Sequence, residues 1–257
     1  MPRLVTVLFL LVSTLALGQS AGSPVVGTSL VVNNGPGNQT EPHVSGTHVV
    51  YTNQLSRTLN EVRYHDLNTG SDQGIDNGGL SDSAGDVQGS RVVFTRVSDT
   101  NRIFSLDMAQ GGAAQELAPR PDVDRRTSSI GGSLVAWQEQ GYSARGMSPE
   151  IFVYSLDSQA LTRLTTDKSV DLTPAVSTDG QTVVWTKCAT SISGCDIWSA
   201  QATSGGYEFK QLTGAEGEES QPDTNGFIAV YVTQHTVNGV TEQDIAWQPV
   251  EIGRAHV

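Results

Sequence analysis

A short pattern, two or three β-branched or small apolar residues running into an aromatic, returns along the chain as HVVYT, RVVFT, LVAWQ, TVVWT and IAVYV. Its aromatics are Tyr51, Phe94, Trp137, Trp185 and Tyr231, spaced by 43, 43, 48 and 46 residues. A second series keeps step with the first: NEVRYHDL, RIFSLDM, EIFVYSL, CDIWSA and QDIAWQPV. Both are rich in strand-favouring residues, and a polar loop separates the members of each pair. Ahead of each aromatic strand lies a segment such as EPHVSG, GDVQG, SSIGG, TPAVSTDG or QPDTNG, which reads as an inner strand entering a tight turn. About twenty residues before an aromatic stands an apolar residue in a strand-like context: Ile75, Leu117, Leu164 and Leu212.

The repeating unit is therefore four short strands. Repetition at this period predicts an all-β chain folded as a β-propeller of four-stranded blades, each sheet burying its faces against its neighbours. A β-sandwich gives no reason for a two-part pattern to recur five times in phase. Five repeats are visible. Leu30, 21 residues before Tyr51, takes the outermost-strand position, while QDIAWQPV is a third strand without a fourth. The N-terminal strand is thus expected to complete the last blade and hide its edge.

Flanking segments set the compartment. Arg3, the apolar run Leu4 to Leu17 and the small residues up to Ala21 read as a signal peptide over residues 1–21, cleaved to release a protein outside the cytoplasm without membrane insertion. The propeller is assigned to residues 22–250. Glu251 to Val257, EIGRAHV, fit no repeat and reverse-translate into the opening of a common short-read sequencing adapter. They are expected to be an assembly artefact, with the reading frame continuing into a short tail or into further blades. A net charge of −12 argues against nucleic-acid partners, because such a surface repels the phosphates that dominate binding.

The best copy of the repeat, PAVSTDGQTVVWTK with CDIWSA and KQLTG, resembles TolB-like propellers, and RLTTD and YHDLNTG are similar to repeats of cell-surface propellers. The resemblance runs from about Leu30 to Val250 and implies fold more than function. No α/β domain precedes the repeats here, which departs from TolB itself. Propellers of this class also cap peptidases and form some polysaccharide lyases.

Cys188 and Cys195, the only cysteines, flank the loop between the second and third strands of one blade and are expected to form a disulfide in an oxidising compartment. Carboxylates gather in the loops entering the inner strands: Glu41; Asp82 and Asp86; Asp122 and Asp124; Asp167 and Asp171; Glu216, Glu218 and Glu219. Converging at one mouth, they would form an acidic rim, with Glu41, Asp86, Asp124, Asp171 and Glu219 as weak candidates for a structural Ca2+; the plainer reading is that wet loops are polar. No cofactor is expected otherwise. The longest loop between second and third strands, Glu139 to Glu150, offers Tyr142, Arg145 and Met147 as candidates for partner contact. Neither a nucleophile elbow nor metal-ligand spacing of histidines is present in the sequence. The expectation is a secreted or periplasmic non-catalytic scaffold binding a protein or envelope polymer through loops at one channel mouth. Its alternatives are a polysaccharide lyase, the propeller of a hydrolase or peptidase, and a TolB-like component of an envelope assembly.

Overall fold

A computed structural model describes residue 29 and residues 31–141, 148–190, 193–214 and 217–250. The signal-peptide assignment, Leu30 with its closing role, Tyr142, Arg145, Met147, Glu216 and the adapter-like tail 251–257 lie outside the described residues. Every strand falls within the unit Val32–Val257, and the described residues contain no helix.

The strands come in the predicted order. The first blade is β1 (Gln39–Ser45), β2 (His48–Gln54), β3 (Asn60–Asp66) and β4 (Ser71–Gly74); the second is β5 (Ser81–Gln88), β6 (Arg91–Val97), β7 (Asn101–Asp107) and β8 (Gln115–Glu116). The third is β9 (Val123–Gly131), β10 (Leu134–Gly141), β11 (Glu150–Ser155) and β12 (Leu161–Arg163); the fourth is β13 (Val170–Val176), β14 (Thr182–Cys188), β15 (Cys195–Thr203) and β16 (Gly206–Gln211). The last holds β17 (Glu218–Thr224), β18 (Ile228–Val237) and β19 (Val240–Pro249). Each sheet is an antiparallel meander in chain order, four-stranded in the first four blades and three-stranded in the fifth among the described residues. The five sheets ring a central cavity walled by the first strand of each, which makes the fold a five-bladed β-propeller.

Alternation along the second strand explains how one pattern fills two interfaces. From Phe94 onward each aromatic faces the preceding blade, and in the first four blades its predecessor in sequence faces the following one, because successive strand residues point to opposite sides. Val93, Ile103 and Leu117 of blade two thus pack with Trp137, Val135 and Ile130 of blade three. Ala136, Ile151 and Leu164 meet Trp185, Val183 and Val176 in the same way one blade further on. Ile75, Leu117, Leu164 and Leu212 each sit just past the end of the fourth strand and are buried between blades. Close approach also demands glycine: a Cβ on Gly131 would lie 1.9 Å from the carbonyl oxygen of Ser177 in the next blade.

The disulfide is present. Cys188 and Cys195 stand directly opposite on β14 and β15, both buried. By the loop-entropy account such a short ring stabilises the fold by about 2–3 kcal/mol.

Candidate functional site

Every inner strand carries a β-bulge at the same place, where one residue adopts a left-handed conformation: Glu41, Ala84, Thr127, Thr173 and Gln221, with φ between 46 and 53°. A bulge sets two residues against one and turns the strand. Proline follows in three copies, Pro42, Pro174 and Pro222, where its missing N–H interrupts no regular ladder. The five bulges line a cavity of about 880 Å³.

One position after each bulged pair carries the chemistry of that wall: His43, Asp86, Ser129, Ala175 and Asp223. His43 Nδ1 lies 3.3 Å from Asp86 Oδ1. The other carboxylate oxygen of Asp86 accepts from Ser129 Oγ and the Ile130 amide, each at 2.9 Å, and Ser129 Oγ in turn accepts the Val176 amide at 3.0 Å. A hydrogen-bonded belt therefore runs across the inner strands of four blades. It contains a serine, an aspartate and a histidine, but the aspartate stands between the other two. The serine hydroxyl donates to the carboxylate and not to the imidazole, so this trio lacks the serine–histidine–aspartate order that activates a nucleophile. The hydrogen bond to Asp86 raises the pKa of His43 above its ordinary value; burial opposes this, while the charges of Asp86, Asp223 and Glu41 add to it. Glu41 closes the belt on its other side by accepting from Thr52 Oγ1 at 2.8 Å and from the Ala84 amide of the next blade at 3.0 Å.

The expected acidic rim divides into two populations. Glu41 and Asp86, joined by Asp223, line the cavity. Asp82, Asp171 and Glu219 are instead buried, on the opposite side of the bulge, and make cross-strand pairs. Asp82 takes both Arg96 Nε and Nη2, at 2.9 and 2.8 Å. Asp171 accepts Trp185 Nε1 at 2.7 Å, with Lys187 Nζ 4.0 Å away, and burial pushes its carboxyl up to about 6. Glu219 accepts Thr213 Oγ1 at 3.2 Å and is raised by burial as well. Blade three reverses the charges, since buried Arg125 donates to Glu139 at 2.9 Å and to the carbonyls of Leu117 and Ala118. Asp124 accepts the Asn101 side chain at 2.7 Å and Arg126 at 2.6 Å. Each of the five candidate calcium residues has partners within the protein, and no cluster of three or more metal-ligating side chains occurs among the described residues.

A second cavity, about 420 Å³, is bounded by Arg120, Glu139, Glu150, Phe152 and Arg163. Glu139 and Glu150 are opposite each other on β10 and β11, each paired with arginine: the first with Arg125 and Arg120, the second with Arg163 at 2.7 Å while also accepting from the Thr165 hydroxyl at 2.7 Å. Sequence reasoning missed this pair. Its signal was present as glutamates at both ends of the longest loop.

No protein-family model and no curated protein sequence matches the chain. Solved structures do. A TolB candidate from Agrobacterium tumefaciens superposes with a TM-score of 0.60 at 16% identity, over 86% of this chain and 85% of that one. TolB from Acinetobacter baumannii gives 0.56 at 18% identity, over 86% of this chain and 57% of its own length. A puromycin hydrolase gives 0.58 at 16% identity, over 82% of this chain and 40% of that protein. At these identities the likeness establishes the fold, a TolB-like β-propeller, and the chain spans about two fifths of the hydrolase.

Proposed function

We propose that this chain is a non-catalytic scaffold of the extracytoplasmic space, engaging a protein or envelope polymer through the loops at one mouth of its propeller. The observation that carries the reading is the state of the cavity wall. His43, Asp86, Ser129 and Glu41 spend their hydrogen bonds on neighbouring blades, which suits a rigid frame presenting loops better than a reacting centre. Likeness to TolB structures supports a role in protein association, and the disulfide agrees with an oxidising compartment.

A second reading, the propeller of a larger hydrolase, draws support from the coverage of the puromycin hydrolase. A polysaccharide lyase and an envelope assembly of the Tol-Pal type are further cases of the same two classes. The deciding experiment immobilises the purified chain and titrates it with soluble envelope extract, alongside assays for peptide and polysaccharide cleavage. Saturable binding that falls at least tenfold on Leu55→Glu, an exposed residue of the β2–β3 loop, is the expected result. Turnover of either substrate by the chain would overturn the proposal.

A further inference from the structure

Four of the blades specify the strand that the fifth does not show among the described residues. In each, the residue after the end of the fourth strand donates its amide to one carbonyl of the third: Ile75 to Val62 at 2.9 Å, Leu117 to Ile103 at 2.9 Å, Leu164 to Ile151 at 2.8 Å and Leu212 to Ile197 at 2.8 Å. All four acceptor residues are fully buried. The fifth member of this series is Ile245, paired with Val232 as the others pair with the residue following the aromatic. It is 77% exposed, and Trp247, two residues on along β19, is 65% exposed. No strand pairs with the outer edge of β19 among the described residues. A ten-residue edge with apolar side chains beside it is a template for a further strand.

Charge complementarity narrows the occupant. The residue before the acceptor contacts the residue before the donor in three blades: Arg102 with Glu116 at 3.3 Å, Glu150 with Arg163 at 2.7 Å, and Asp196 with Gln211 at 3.0 Å. At the fifth position stands Asp244, its side chain 67% exposed and 3.7 Å from His235. The two charged pairs are of opposite sign and Asp196 takes a neutral donor, so the exposed Asp244 is complemented by a donor, best a cation, just before the apolar residue of a strand seated here. Leu30, whose spacing would suit the slot, follows a serine, which brings no charge to Asp244.

We propose that the outer edge of β19 is a docking site for an extended segment of a partner protein carrying arginine or lysine directly before leucine or isoleucine. The segment adds as the fourth strand: its backbone pairs with β19, its apolar side chain lies beside Ile245 and Trp247, and its cation meets Asp244. This surface is separate from the loops of the channel mouth.

The chain itself supplies the probe, a labelled peptide with the sequence ALTRLTT of residues 160–166, titrated into the full chain and followed by fluorescence anisotropy. Saturable binding is expected, weakened at least tenfold when the arginine of the peptide is replaced by glutamate or its second leucine by aspartate. Asp244→Arg should invert the charge preference, favouring the glutamate peptide. Because the peptide variants leave the protein untouched, they decide the matter even if that substitution disturbs folding. The proposal is overturned by no saturable binding, by binding indifferent to the peptide changes, or by binding that emerges only in Leu30→Asp, which would mean that the chain occupies its own edge. Self-association through β19, seen as a dimer in sedimentation and abolished by Asp244→Arg, would equally overturn it by making a second copy the occupant.

Discussion

The interfaces between consecutive blades and the two faces that meet no neighbouring sheet among the described residues are built from the same sequence pattern, yet their exposure is opposite. Val87, Ile130 and Val176 on the inner strands of blades two to four are buried against the preceding blade, whereas Val44, their counterpart in blade one, is 68% exposed. On the other side, Val93, Ala136 and Val184 are fully buried and their counterpart Val230 is not. A β-branched residue beside an aromatic states only that a face is apolar. Whether the face becomes core depends on a second sheet arriving, a long-range fact that no local window contains.

Equivalent truncations on the two kinds of face give the largest contrast. Ile103→Ala removes a fully buried side chain between blades two and three and should cost about 3 kcal/mol, within the range for large-to-small changes in cores. Ile245→Ala, at the same place in blade five, should cost less than about 0.5 kcal/mol. Urea denaturation of the two variants checks this. Equal losses would mean that the fifth face is covered in solution and that the contrast is false.

The disulfide permits a second, smaller intervention within blade four. Replacing both Cys188 and Cys195 by alanine should lower stability by about 2–3 kcal/mol if the unfolded chain is otherwise unconstrained. The loss should match that caused by a reductant on the native chain. A negligible change in both would show that the β14–β15 hairpin holds its register through Trp185, Ile197 and their neighbours alone.

Strand order, period and aromatic cores were legible because each rests on local chemistry repeated five times, and the cysteine pair because two lone cysteines flank one short loop. The division of the carboxylates was not. In an unbroken strand Asp82 and Asp86 would share a face, being four residues apart. The bulge at Ala84 adds a residue and sends them to opposite sides, so Asp82 pairs with Arg96 and Asp86 reaches the belt. Asp171 and Ala175, like Glu219 and Asp223, are separated in the same way. Pro174 and Pro222 hint at those two bulges, but blade two has Gly85 and blade three Ser128 at that place, and neither announces one.

The smallest predicted effect tests the cross-strand population of carboxylates against the cavity population. An acid whose pKa is higher folded than unfolded binds protons more tightly when folded, so its contribution to stability falls as pH rises between the two values. Asp171, raised by burial from 3.8 to about 6, should therefore destabilise the fold progressively across that window, and Asp82 and Glu219, also raised by burial, act in the same direction. His43 adds to the trend by another route. Its raised pKa, set first by the hydrogen bond to Asp86, stabilises fully below 6.5 and is lost as pH climbs through the folded value. The chain should accordingly resist urea better at pH 5 than at pH 8. Asp171→Asn keeps an acceptor for Trp185 Nε1 but cannot ionise, and should reduce that difference by about 1 kcal/mol, allowing for solvent screening of the partly buried group. His43→Gln should reduce it only at the upper end of the window. Were Asp171→Asn to leave the profile unchanged while His43→Gln flattened it, the cavity belt rather than the buried cross-strand pairs would govern the pH response.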